Sequence, residues 1–323
     1  MLSREKTFRT VVELPEMERQ MQLGDSFVFL GSCFAEHIGR RFSEYGMPVL
    51  CNPTGVLYNP LSLLRVVQGA GEEDCSWPVF QHEGRWYCWL AGTQLSADDE
   101  SECRRLMADV FRRLRLALSD AAYLFVTLGT SVCYRLRESD LVVTNCHKMP
   151  ASQFEEFSLG VGECTSALLQ LVDAARALNP SLRVVFTVSP YRYAKYGFHG
   201  SQLSKAVLLL GADAVCRQRE SCLYLPIYEI FMDELRDYRF YAEDMVHPAP
   251  VAVDYVWHRL VEECMSPQLQ TYLADYEPLR RSLAHRPVNP DSPQYQAFQQ
   301  KTENLRKALA GKYSFIALSH PMP

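Results

Sequence analysis

The stretch Ser26-Phe-Val-Phe-Leu30-Gly31-Ser32-Cys33-Phe34-Ala35-Glu-His-Ile-Gly-Arg-Arg-Phe-Ser-Glu-Tyr45-Gly46 decides the fold. It opens with a short run of β-forming side chains that stops at a glycine. From Phe34 to Tyr45 the apolar residues recur at helical spacing, and Gly46 closes the helix. A strand, a tight turn and a helix in that order begin a βα unit, and the alternation continues downstream. Residues 47–50 read as a second strand, 52–60 as a polar loop and 61–68 as a helix. A long amphipathic helix starts at Ser96-Ala-Asp-Asp-Glu-Ser and runs to about Leu118. Residues 123–128 form a continuous apolar run, the pattern of a strand buried on both faces, and residues 183–188 read as another buried strand. Helices over 160–178, 202–217 and 250–264 and a short strand over 223–226 complete the series. Such alternation predicts a parallel sheet covered by helices on both sides. Two hairpins interrupt it, at 77–92 and at 132–144. Residues 286–298, rich in Pro, Asn, Ser and Gln, lead to a last helix near 299–310, so the chain divides into a main domain, 1–285, and a helical tail, 286–323.

Composition narrows the function. With 323 residues, 48% of them hydrophobic, the chain has enough apolar surface for one large core with a small appendage. Charged residues make up 22%, which excludes a disordered chain. A net charge of −5 argues against a nucleic-acid partner, because phosphate affinity comes from clustered Lys and Arg. No stretch reaches the roughly 18 apolar residues of a membrane helix, and the N-terminus carries mixed charge with no apolar signal core. The expectation is a soluble, cytoplasmic protein with no membrane partner. The 11 cysteines are odd in number, scattered and without a C-x-x-C pair. They form neither a disulfide scaffold nor a zinc site, and most of them, Cys75 included, are expected as small buried hydrophobes. No His and carboxylate cluster has ligand spacing, so no metal or other cofactor is expected.

In a parallel α/β sheet, ligands sit beyond the carboxyl ends of the strands. That singles out the loops at 31–34, 51–60, 129–131, 189–200 and 226–248. Ser32 and Cys33 lie between strand and helix, beside helix-terminal N–H groups that stabilise a thiolate and offer donors to an oxyanion. The plainer alternative is a turn whose serine caps the helix. The second signal is Asp244-Met-Val-His247-Pro248. An Asp three residues ahead of a His can accept from the ring Nδ1–H and leave Nε2 as a base. Here the alternative is a capping Asp and a surface His.

Gly31–Ala35 does not stand alone. Thr127-Leu-Gly-Thr130, Asn145-Cys-His-Lys148, Thr187-Val-Ser-Pro190, Leu203-Ser-Lys-Ala206 and the run from Asp237 to Pro248 follow it in order. Over roughly residues 20–265 this set resembles the GSCFA family, a branch of the SGNH/GDSL-like hydrolase superfamily. The resemblance implies a flavodoxin-like three-layer α/β/α sandwich. It also implies hydrolysis or transfer of an acyl group on a small-molecule or carbohydrate ester. It places the nucleophile at Cys33, with Ser32 where the superfamily usually has aspartate, and Ser32 stays as the rival. Its second block puts an oxyanion N–H at Gly55. The asparagine of its third block is missing from Gly129-Thr130-Ser131, so Ser131, Thr130 or Asn145 would have to donate instead. Its last block falls on Asp244 and His247. His147 and Lys148 are candidates for contact with the acyl group or an anionic carrier. Arg192, with Lys195, Tyr191, Tyr193, Tyr196 and Phe198, forms a basic aromatic loop suited to a phosphate or carboxylate, or simply packed on itself. Ser204-Lys205 lacks the spacing of a phosphate-binding loop, and His37 reads as a helix-face residue. Two other readings stay open: an acyltransferase drawing on an acyl-thioester, and a binding protein on a degenerate hydrolase scaffold.

Overall fold

The chain runs β1 (Phe27–Gly31), α1 (Cys33–Glu44), β2 (Val49–Cys51), α2 (Pro60–Gly71), β3 (Val79–His82), β4 (Arg85–Cys88), α3 (Glu100–Asp120), β5 (Tyr123–Leu128), β6 (Val132–Leu136), β7 (Val142–Val143), β8 (Phe154–Ser158), α4 (Val161–Leu178), β9 (Arg183–Val188), α5 (Gly197–Cys216), β10 (Cys222–Tyr224), α6 (Ile227–Glu229), α7 (Pro250–Cys264), α8 (Pro267–Leu283) and α9 (Pro293–Lys312). This computed structural model describes residues 9–72, 76–287, 289 and 291–313. Cys75, the first eight residues and the last ten lie outside them.

Five strands form the main sheet in the order β10-β9-β5-β1-β2, with every neighbouring pair parallel. Counted along the sheet strands alone, the order is 2-1-3-4-5, the flavodoxin-like doubly wound topology. The period-two alternation of the buried strands sorts their side chains onto two cores. Val28, Leu30, Leu124, Val126, Leu128, Val184 and Phe186 pack under α2, α3, α4 and α5. Phe27, Phe29, Tyr123, Phe125 and Val185 face α1, α7 and α8. The second face is aromatic: Phe29 stacks on Phe125 at 4.6 Å, and Phe42 of α1 stands edge-on to Trp257 of α7. Two helical layers around one parallel sheet make the expected three-layer sandwich.

Both predicted insertions are present. β3 and β4 form an antiparallel hairpin, and β6 pairs with β7 on one side and β8 on the other. The sequence does not announce β8, because two of the five residues in Phe-Glu-Glu-Phe-Ser are acidic. It also missed α8, whose Pro278 lies inside the helix and breaks its apolar spacing, although Ser266 caps it and Pro267 sits at its start. α5 begins at Gly197, earlier than expected, and absorbs the end of the aromatic loop. α9 lies against α8: Lys312 and Tyr313 reach Asp275, and Leu309 is buried. The ten cysteines among the described residues are free, and six of them are buried. No helix among the described residues is long and apolar enough to cross a membrane.

Candidate active site

β1 and β5 leave the sheet side by side, with Gly31 opposite Thr127. This is the switch point of the topology, where strand order reverses and the chain ends diverge into a crevice. Gly31 turns there at φ +138°, and a Cβ on it would collide with the backbone of Thr127, so no other residue fits. Ser32 is fully buried, donates its N–H to the Thr127 carbonyl at 3.0 Å, and caps α1 by accepting from Phe34 N at 3.3 Å. Cys33, the first residue of α1, reaches partly to solvent. The N–H groups of Cys33 and Phe34 face its own sulfur. They do not make the expected thiolate. Burial, and then Glu36 one turn on, push the thiol above its usual value, and the N–H groups and Lys205 fail to offset them. Cys33 therefore rests protonated near neutral pH.

The Asp244–His247 pair is formed. Asp244 Oδ1 accepts from the N–H groups of Val246 and His247, each at 2.9 Å, and Oδ2 meets the ring Nδ1. Those backbone bonds first, and then the imidazole, hold the Asp244 carboxyl down at about 2. Both side chains are about half exposed, and His247 Nε2 has no partner among the described residues. The Tyr191 ring stands edge-on to the imidazole at 4.5 Å and lies within electrostatic reach of both Cys33 and Asp244. Arg192 fastens the loop from behind, through its N–H to Val246 O at 3.1 Å and Nη1 to Met245 O at 3.0 Å. No hydrogen bond joins Cys33 to His247; the Tyr191 ring packs on the imidazole and lies within electrostatic reach of the thiol.

Several expected contributors face elsewhere. The Gly55 N–H closes a turn onto Asn52 O at 2.8 Å, so it is not on offer to an oxyanion. Ser131 is buried and turned toward α5, its N–H and hydroxyl bonded to Ser204 Oγ at 2.7 and 3.1 Å, with Thr130 in the same cluster. Asn145 Oδ1 accepts from His147 N at 2.7 Å and shapes its own loop. His147 is buried among Phe80, Tyr87 and Trp89, with Nε2 3.1 Å from Cys88 O, and burial pushes its pKa down to about 4. It is a neutral pin between the two insertions, while Lys148 beside it is exposed. The basic loop folds on itself: the Arg192 guanidinium lies 4.2 Å from the Phe198 ring centroid, and Lys195 pairs with Glu156 at 2.8 Å. It is not an open anion clamp. Among the described residues no group of His, Cys, Asp and Glu is placed to hold a metal ion.

Lys205, set aside in the sequence for want of phosphate-loop spacing, has a structural place of its own. The residue is fully buried and donates to Gly129 O at 2.6 Å and Ser189 O at 2.7 Å, which ties the ends of β5 and β9 together. Its ammonium lies 5.0 Å from the Tyr193 ring centroid, and burial pulls its pKa down to about 7. The signal was available: Lys205 shares the inward stripe of α5 with Leu208, Ala212 and Val215, and a lone cation at such a position requires internal acceptors.

The description "GSCFA family" matches residues 26–260, and "GSCFA domain protein, C-terminal domain" matches residues 276–322. No curated protein matches the chain. Among solved structures, a family 3 carbohydrate esterase of Clostridium thermocellum is similar at 8% identity, covering 79% of this chain and 98% of that one, with a TM-score of 0.34. A likeness that low carries no argument about the site. The family match spans the main sheet, both insertions and the Asp244–His247 loop: the chain belongs to the GSCFA family.

Proposed function

We propose that the chain hydrolyses an acyl ester of a small molecule or carbohydrate, with Cys33 as nucleophile, His247 as base and Asp244 as the group that orients it. One observation carries this reading: a formed Asp–imidazole pair with an open Nε2 lies at the same sheet edge as the partly exposed thiol. The thiol is protonated at rest, so attack needs a base in the same step. Cys33 Sγ bonds to the acyl carbon, its proton passes to His247 Nε2, and the carbonyl π pair moves to oxygen. Collapse of the tetrahedral intermediate expels the alcohol, which takes the proton from His247. Water, deprotonated by the same imidazole, then attacks the thioester and releases the carboxylic acid and the thiol. Ser32 is the weaker nucleophile candidate, since its hydroxyl is buried and occupied by the cap. The acyl-thioester reading has less support, because Arg192 is bonded to Met245 O and Lys195 is paired with Glu156 of β8.

Hydrolysis of p-nitrophenyl acetate tests the assignment. Cys33→Ala and His247→Ala are expected to lower kcat/KM by about 10,000-fold, the scale for removing a member of a nucleophile–base pair. Ser32→Ala should lose roughly 1 kcal/mol of stability with its cap and keep the activity. Activity that survives in Cys33→Ala and vanishes in Ser32→Ala would move the nucleophile one residue back.

A further inference from the structure

The phenol oxygen of Tyr193 is buried and has no hydrogen-bond partner among the described residues. Buried hydroxyls in native structures are almost always paired, so an orphan calls for a reason. It is not a loosely placed side chain. Tyr191 packs edge-on against the ring at 4.7 Å, Tyr58 does so at 6.2 Å, the Lys205 ammonium lies 5.0 Å from its centroid, and its N–H is held by Ser201 Oγ at 3.2 Å. The hydroxyl lies over Gly129 at the end of β5, so close that a Cβ on that residue would collide with it. Gly129 thus clears the space the hydroxyl occupies beside the switch point. Tyr58 and Cys33 lie within its electrostatic reach, and burial holds the phenol well above its usual value, so that it stays a proton donor.

From this geometry we propose that the Tyr193 hydroxyl is an oxyanion donor, hydrogen-bonding to the acyl oxygen when Cys33 attacks and acting alongside the N–H of Cys33. The proposal rests on the ester-hydrolysis reading above. It accounts for the unpaired hydroxyl, because the missing partner is the oxygen that arrives with the substrate. It also fills a vacancy, since the Gly55 N–H and the Ser131 hydroxyl are bonded elsewhere. A donor aimed at developing charge acts in the transition state, so its loss lowers kcat and leaves KM nearly unchanged.

Three measurements on the full chain and its Tyr193→Phe variant test the idea: the p-nitrophenol burst from p-nitrophenyl acetate, alkylation of Cys33 by iodoacetamide, and the melting temperature. Alkylation forms no oxyanion and reports the thiol alone. The expected result is an acylation rate lowered by about 100-fold, with alkylation within twofold of wild type and a melting temperature that is unchanged or higher. Removing an unpaired buried hydroxyl costs the fold nothing, whereas a structural hydroxyl would lower the melting temperature. Gly129→Ala, which displaces the hydroxyl, should show the same slow burst with intact alkylation. A burst in Tyr193→Phe within threefold of wild type overturns the proposal, as does a fall in alkylation that matches the fall in acylation. A wild-type chain that releases no p-nitrophenol above the buffer rate overturns the hydrolysis reading and this proposal with it, and that outcome is distinct from a release that merely ignores Tyr193.

Discussion

Glu234 and Lys205 are both buried charged side chains, one on each side of the sheet, and they are wired differently. Glu234 is closed on itself. Its Oε2 accepts from Arg259 Nη1 at 2.6 Å and from Val12 N at 3.1 Å, Oε1 accepts from Tyr255, and Arg259 Nη2 returns to Val12 O at 2.6 Å. Every partner is protein, and together they tie the N-terminal segment to α7. Lys205 has no carboxylate at all. It is held by two backbone carbonyls beneath a thiol and an orphan phenol. A saturated buried network has nothing left to offer a ligand. An unsaturated one keeps a donor in reserve and gives up stability to do so.

The largest effect expected on this contrast comes from Glu234→Ala. It removes one of the two carboxylates that pair with Arg259, leaving Glu263, and strands Val12 N, so it should cost about 3 kcal/mol in urea unfolding while activity per folded molecule holds. A loss below about 1 kcal/mol would put the pair among weak surface bridges and break the comparison. Next comes Lys205→Met, which strands two buried carbonyls and should cost about 2 kcal/mol. Its pH signature is sharper than its size. Burial lowers Lys205 from the usual lysine value to about 7, so between that pH and about 10.4 the unfolded chain holds a proton that the folded chain lacks. Stability contributed by this group therefore rises with pH across that window. The slope should flatten in the methionine variant, and an unchanged slope would show that Lys205 keeps its proton. The smallest effect concerns Cys33. With burial and Glu36 both raising its pKa, its alkylation rate should climb only in alkaline solution, and Glu36→Gln should speed the reaction at pH 8 by roughly threefold. A wild-type profile with its midpoint below pH 8 would contradict the protonated resting thiol.

The sheet was legible because burial on both faces leaves a plain mark. Residues 123–128 and 183–188 are mostly apolar, each broken near its end by one threonine, and both strands fall on those bounds. Cys33, Asp244 and His247 were legible through local chemistry, namely a strand-end glycine and an Asp three residues before a His. What the sequence hid depends on contacts between distant segments. Gly55 offers its N–H to a carbonyl three residues back, which spacing cannot foretell. Tyr193 belongs to a loop rich in tyrosines, and only its approach to Gly129, 64 positions earlier in the numbering, sets it apart. The Cys33 thiol reads as activated from its place at a helix start, yet burial outweighs the helix terminus once the side chains around it are packed.

The central claim is that Cys33 attacks an acyl carbonyl with His247 taking its proton. The direct measurement is to mix the full chain with p-nitrophenyl acetate at pH 7, quench within the first turnover, and locate the acetyl group by peptide mass spectrometry. The account predicts an acetyl on Cys33 in the wild-type chain and none in His247→Ala over the same interval. An acetyl on Ser32, or equal labelling of Cys33 with and without His247, would contradict it.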